Sequence, residues 1–564
     1  MPSSPLADLS DRYWQFLRDE FPITAIMAGD APQSDILMRD APGDFERRAA
    51  WASAALRELD AIGDEALSPT EKASRTLMTS ELAEMVDVVT TQGHLRPSIY
   101  PLGPEFMLNY WANSTSLTSV EAARRYVARL SQVPAALDSA KSAMSLGASR
   151  GIRYPRLVVE RALSVVRGQA NMTVERTPFF RPLAAVEGRG KGYASLVAEG
   201  RTIITERVMP AMKAYADFIE QTLAPIARDD LAIVNDVDGA EYYRLLIRQA
   251  TTTDMTADEI HDLGLREVGR ITEEMLAVAD SAGFEGDLAE FKRRLQTDNQ
   301  QILESGEALR QEIEILSKRI DAIIPRFFGN VPRTTYGVSS IPEEIAAAMP
   351  PAYAQPNPAD GSAAGVHWIT SIPAKLPRYM HIPIALHEAW PGHLMHLALI
   401  QELKDLPAFR RNGGMRYSVC LEGWALYSEA LGEDMGLYDS PEKKYGRLEM
   451  EMWRAVRLVV DTGIHARGWS REQAIDFFKT HMVLPIETVE AEVDRYVGLP
   501  GQALAYQLGN LKFRELRQRS EAALGDRFDI RKFHDALMSP GAVTLEVLEQ
   551  AIDGWIEEQR FEAA

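Results

Sequence analysis

The sequence predicts a mainly α-helical fold, large, lobed and built of many helices, with one small β element. Three observations carry the prediction. Apolar residues recur at spacings of three and four, the pattern of one-sided helices. No fixed-period repeat or low-complexity tract appears, which excludes a solenoid. One stretch, residues 361–372, differs in kind and runs from small residues into β-branched and aromatic ones, as a short strand does.

In chain order, Leu9, Tyr13, Phe16, Leu17 and Phe21 mark a first helix, and Pro22 reads as its stop signal. Similar patterns continue to about Leu223, punctuated by prolines and glycines at 97–101, 151–155 and 178–182. Residues 188–192, Gly-Arg-Gly-Lys-Gly, lack the spacing of a phosphate loop and any preceding strand, so they read as a flexible surface loop. Thr256 and Glu259 form a capping box, each side chain satisfying a free backbone N–H at a helix start. A long helix follows, and another lies between 300 and 324 with Ile302, Leu309, Ile313, Ile315, Leu316 and Ile320 as its apolar stripe. The strand of 361–372 comes next. Its edge suits an extended peptide held by main-chain hydrogen bonds, with an ordinary hairpin as the equal alternative, and Trp368 within it is a candidate substrate contact. The chain divides into an N-terminal helical lobe, 1–225, and a second helical lobe, 226–564, expected to form one continuous unit.

The second lobe is organised around Ala385-Leu386-His387-Glu388-Ala389-Trp390-Pro391-Gly392-His393, which sets two imidazoles and a carboxylate in an apolar run. Five of the ten histidines (His367, His381, His387, His393, His396) fall within this neighbourhood, which favours a metal site over isolated core histidines. Zinc takes three protein ligands and leaves a position open for water, beside which a carboxylate such as Glu388 serves as general base. In H-E-x-x-H the histidines stand four apart and share a helix face. Here they stand six apart, about 120° from one another on a regular helix. Pro391 cannot continue the backbone ladder and Gly392 permits a bulge, so the helix is expected to break at Pro391 and return His393 by a wider turn.

A third ligand belongs on a later element, and Glu422, 29 residues after His393, sits in a segment that reads as a buried helix. Glu429 shares its face, and pairing with an arginine is the strong competing role for that residue. Between Glu449 and His465 the apolar Val456, Leu458, Val459 and Val460 are interrupted by a polar stripe of Arg454, Arg457, Asp461 and His465. Either an internal salt-bridge network or a cleft lining accounts for it. In the second case Arg454 and Arg457 bind substrate or orient a ligand, and His465 or one of these arginines stabilises an oxyanion; Tyr506, in a polar and aromatic cluster at 495–506, is a further oxyanion donor.

A net charge of −20 argues against a nucleic-acid partner, and the single cysteine, Cys420, excludes an intramolecular disulfide. No run reaches the length of a membrane span, and the start Met1-Pro2-Ser3-Ser4-Pro5 lacks the pattern of a signal peptide. The expectation is a cytoplasmic protein, with a periplasmic or secreted one whose signal has been removed as the alternative. Monomer and homodimer stand equally open.

The segments 387–393 and 422–427 together resemble the DUF885 family of bacterial proteins, and so do 241–244, 409–411, 457–465, 500–506 and 533–535. The resemblance covers most of the chain from about Pro155. It implies a mostly α-helical, metallopeptidase-like fold around a deep cleft, related to the gluzincins. It also implies His387, His393 and Glu422 as ligands of one zinc ion and Glu388 as general base. After the second histidine the family often continues with another histidine and then, two positions on, a glutamine. This chain has Leu394 and His396 there, which bears on the wall of the pocket and not on the ligands. The leading expectation is a zinc-dependent peptidase of short peptides. A metal-dependent amidase of other amides and a non-catalytic helical binding protein are the alternatives.

Overall fold

The computed structural model describes residues 4–30, 34–63, 65, 67–347, 349–358, 361, 363–413, 416–482 and 484–561. Met1 to Ser3 of the N-terminal stretch and Ser362 of the strand segment lie outside the described residues. Helices dominate, as the apolar spacing predicts. The first runs over Pro5–Glu20, and Pro22, which reads in sequence as a stop, opens the short helix Pro22–Met27. The reason is that a helix's first position leaves its N–H unpaired anyway, so proline costs nothing there. Thr256 and Glu259 form the expected capping box at the head of the helix Ala257–Ser281. The predicted helix of 300–324 begins later, at Gly306–Asp321, because Ser305 caps it by accepting from the Ala308 N–H.

The β element is a three-stranded sheet: β1 (Tyr336–Ser340), β2 (Ala352–Gln355) and β3 (Gly365–Ile369), in the order β1-β3-β2. β1 runs parallel to β3, pairing Val338 with His367, and β2 runs antiparallel, pairing Ala354 with His367. The edge reading of 361–372 is therefore corrected. β3 is the central strand with its main chain engaged on both sides, and the edges belong to β1 and β2. β2 packs against the helices His381–Glu388 and His393–Glu402 that carry the two histidines.

Two large apolar clusters fill the molecule. One joins Trp111, Tyr126, Phe180 and Met212 to Ile271, Val456 and Tyr496. The other joins Tyr13, Leu77 and Met78 to Leu386, Trp424, Phe513 and Leu548. Each draws residues from both sides of residue 225. Two close helix crossings set the frame of the site. Gly264 on Ala257–Ser281 meets Leu458 and Val459 on Pro441–His465. Gly423 on Ser418–Leu431 meets Gly509 on Ala505–Leu524, where an added Cβ would come within 2.5 Å of the Gly509 Cα. No helix among the described residues is long and apolar enough to cross a membrane.

Candidate metal centre

His387 stands in the last turn of His381–Glu388, and His393 opens His393–Glu402. The helix breaks between them as the proline predicts, but two residues earlier: Ala389 already leaves helical geometry at φ −92°, ψ −126°. The Trp390–Pro391 peptide is cis, and the Trp424 indole N–H donates to the Pro391 carbonyl at 2.8 Å. Gly392 has an ordinary negative φ of −68°, so freedom of backbone is not what it supplies. What it supplies is room. An added Cβ would lie 2.0 Å from the His387 carbonyl oxygen and 2.3 Å from that of Leu386, because the turn folds straight back over the end of the first helix.

This fold-back brings both imidazoles to the third predicted ligand. The Glu422 Oε2 lies 3.6 Å from His387 Nε2 and 3.4 Å from His393 Nε2, and the two rings stand nearly perpendicular with centroids 4.8 Å apart. These separations exceed the usual N–H···O distance. They match the edge of a tetrahedron whose centre is about 2.0–2.2 Å from each donor, roughly 3.3–3.6 Å. Among the described residues His387, His393 and Glu422 are the group of donors close enough to share one ion, and Glu422 Oε2 is buried without a hydrogen bond. The donor set fits zinc. His387 is buried, whereas His393, Glu422 and the adjoining Glu388 are half-buried, so the group is not sealed from solvent.

Behind His387, its Nδ1–H donates to Glu429 Oε1 at 2.8 Å, which leaves Nε2 free to face the metal position. Glu429 is 2% exposed, and Arg454 Nη2 lies 3.9 Å from the same oxygen. Burial pushes the His387 imidazole down, but Glu422 and Glu429 outweigh it and raise its pKa to about 9. Burial opposes ionisation of Glu422, and the two histidines overcome this and hold its carboxyl well below the usual range. Glu388, Glu422 and Glu429 thus concentrate negative charge around two imidazoles, an environment that favours a cation.

The polar stripe of Pro441–His465 is engaged in an internal network, although Arg454 Nε, Arg457 Nη1 and His465 Nδ1 are buried without a partner in it. Arg454, expected to bind substrate, is 6% exposed and packs its guanidinium on Glu429 and the Met450 carbonyl. Arg457, likewise expected there, donates to the Tyr496 hydroxyl at 2.9 Å and to Glu492 at 3.1 Å, with its guanidinium 4.5 Å above the Tyr506 ring. It props Tyr506 instead of reaching outward. Asp461 accepts from the Tyr243 hydroxyl and from Gly501 N–H. His465 is fully buried with Nε2 on the Tyr496 carbonyl at 2.9 Å and its ring beside Tyr243, so its contacts lie away from the centre. Tyr506 is half-buried. Burial, then the neighbouring Glu422 carboxylate, raises its hydroxyl above the usual phenol range and keeps it a donor. Trp368 points to the sheet face opposite His367, where it stacks on Tyr353 and donates to Gln355 at 2.8 Å. Of the remaining clustered histidines, His381 is tied to Glu312 and the Leu376 carbonyl. His396 meets Trp424 edge-on. The roles of Glu429 behind His387 and of Trp424 on the turn escape the sequence, where the seven-residue spacing of Glu422 and Glu429 is their one signal.

A family model described as "Bacterial protein of unknown function (DUF885)" matches residues 22–552, nearly the whole chain. The chain belongs to this family. Within solved structures, this DUF885 chain is similar to one described as "the putative lipoprotein from Colwellia psychrerythraea", with 27% identity, a TM-score of 0.90, and coverage of 98% of this chain and 99% of that one. A second, described as "a putative lipoprotein of unknown function from Shewanella oneidensis", shares the fold at a TM-score of 0.75 and 17% identity, over 97% of this chain and 99% of that one. No curated protein matches.

Proposed function

We propose that this DUF885 protein is a zinc-dependent metallopeptidase that hydrolyses short peptides. The observation that carries the reading is the convergence of His387 Nε2, His393 Nε2 and Glu422 Oε2, with the half-buried Glu388 next to His387 in the chain. Bound zinc, one per chain, supplies a Lewis acid at the scissile carbonyl and makes a water acidic near neutral pH. Glu388 accepts the proton of the attacking water on its carboxylate and returns it to the departing amine. The Tyr506 hydroxyl, held by Arg457 against its ring, donates to the carbonyl oxygen as negative charge develops there. The β2 edge, beside the ligand helices, supports an extended peptide through main-chain hydrogen bonds. The description of the Colwellia relative as a lipoprotein supports a periplasmic or secreted location over the cytoplasmic one.

Elemental analysis of wild type beside Glu422→Ala tests the metal, and a panel of dipeptides to pentapeptides, free and blocked, tests the activity. The expected result is about one zinc in wild type, little in the variant, and cleavage that Glu388→Gln abolishes without loss of metal. A Glu388→Gln protein with zinc and full activity overturns the mechanism.

A further inference from the structure

We propose that His367 is a substrate-contacting residue of this site, a neutral imidazole that donates a hydrogen bond to a carbonyl oxygen of the bound peptide. The inference rests on the peptidase reading and adds to it a residue that neither the ligand set nor the base requires.

His367 is the middle residue of the central strand and is fully buried, yet neither ring nitrogen has a hydrogen-bond partner. Apart from His396, the other buried histidines have at least one ring nitrogen paired, although His465 Nδ1 is left without a partner. His261 meets Thr462, His534 meets Tyr427 and the Phe327 carbonyl, and His465 meets the Tyr496 carbonyl. His396 also has two unpaired nitrogens, but its ring meets the Trp424 indole edge-on with centroids 5.9 Å apart. His367 has no aromatic partner among the described residues. A buried polar group left unpaired costs about 1–3 kcal/mol, a cost removed when a bound group supplies the missing partner.

Strand alternation says where that partner comes from. His367 and Gly365 share one face of β3, and Gly365 lies so close to Leu394, the neighbour of His393, that a Cβ there would come within 3.0 Å of its Cδ2. The same face therefore looks onto the ligand helices, while Trp368 faces away. Burial, reinforced by nearby His387, holds the imidazole far below its ordinary pKa, at about 3, so it stays neutral and keeps one N–H to donate. A group that meets His367 from this side belongs to whatever occupies the metal centre, and in a peptidase that is the peptide's carbonyl.

The test uses the full chain with zinc, as wild type, His367→Phe and His367→Asn. The Phe variant removes both unpaired nitrogens at similar volume. The expected result is wild-type zinc content and an unchanged or raised thermal midpoint, with kcat reduced about a hundredfold and KM changed far less. The Asn variant, which restores a donor, recovers part of kcat. A Phe variant with wild-type kcat, or one that loses zinc or fails to fold, overturns the inference, because His367 is then packing or structural support. If wild type holds zinc but cleaves no peptide, the peptidase reading fails separately. Calorimetric titration with acetohydroxamate, a carbonyl-bearing zinc ligand, then decides: tenfold weaker binding to His367→Phe sustains the donor role, and equal binding overturns it.

Discussion

Glu429 decides which nitrogen of His387 is left to face the proposed metal position, since it accepts from Nδ1–H at 2.8 Å and is itself buried against Arg454. Glu429→Gln keeps an acceptor for that proton but loses the charge, so zinc affinity is expected to fall about 10–100-fold in chelator competition while the fold persists. Unchanged affinity would mean that the carboxylate serves only to neutralise Arg454. Asp461 makes a different residue-scale prediction. Burial pushes its carboxyl up to about 7 in spite of the Tyr243 and Gly501 donors. The folded protein thus holds this proton more tightly than the unfolded chain. The stability it contributes is whole below about pH 4, the ordinary aspartate pKa, and is lost as pH rises through about 7. Between pH 5 and 8 wild type should therefore lose on the order of 3 kcal/mol that Asp461→Asn does not lose. Denaturant unfolding of both proteins at the two pH values checks it, and parallel pH dependences would contradict it.

At the scale of elements, the turn from His387 to His393 depends on one absent side chain. In Gly392→Ala the new Cβ meets the His387 and Leu386 carbonyls at 2.0 and 2.3 Å, so the turn must open and carry His393 away from Glu422. The expected outcome is loss of most bound zinc with far-UV circular dichroism nearly unchanged, because the flanking helices are held by their own packing. Retained zinc would show that the turn yields without moving the ligand. This turn also marks how far the sequence speaks. The chemistry of a donor resides in residue identity, and a proline without an N–H must interrupt a ladder, so the convergence of His387, His393 and Glu422 and the break were legible. The use of Gly392 was not, since its constraint is contact with backbone five residues back rather than its own φ. The polar stripe on Pro441–His465 shows the same limit. Helical period says that Arg454, Arg457, Asp461 and His465 share a face, but not that Glu429, Glu492, Gly501 and Tyr496 wait opposite. Likewise 361–372 reads as a strand locally, whereas its central place depends on pairing with β1 and β2, which lie earlier in the chain.

For the whole molecule, a buried carboxylate helps anchor the N-terminal helices to the helix that carries Glu422. Glu81, 3% exposed on the helix Pro69–Thr90, accepts from the Tyr13 hydroxyl of the first helix at 2.6 Å and from the Tyr417 hydroxyl. Tyr417 caps the helix Ser418–Leu431 that presents Glu422, and Arg416 beside it lies 4.0 Å from the same carboxylate. Around this junction the cluster of Leu6, Leu9, Leu77 and Leu82 continues into Leu386, Trp424 and Phe513, so apolar contact and hydrogen bonding cross residue 225 together. A chain built this way should unfold as one unit. Calorimetry is expected to give one transition that chelation of zinc moves down without splitting. Glu81→Ala, which strands two buried hydroxyls, should lower stability by about 3 kcal/mol and move that same transition. Two transitions, with the zinc-sensitive one indifferent to Glu81→Ala, would instead mean that the ligand helices fold apart from the N-terminal ones and that the Glu81 junction only docks finished pieces.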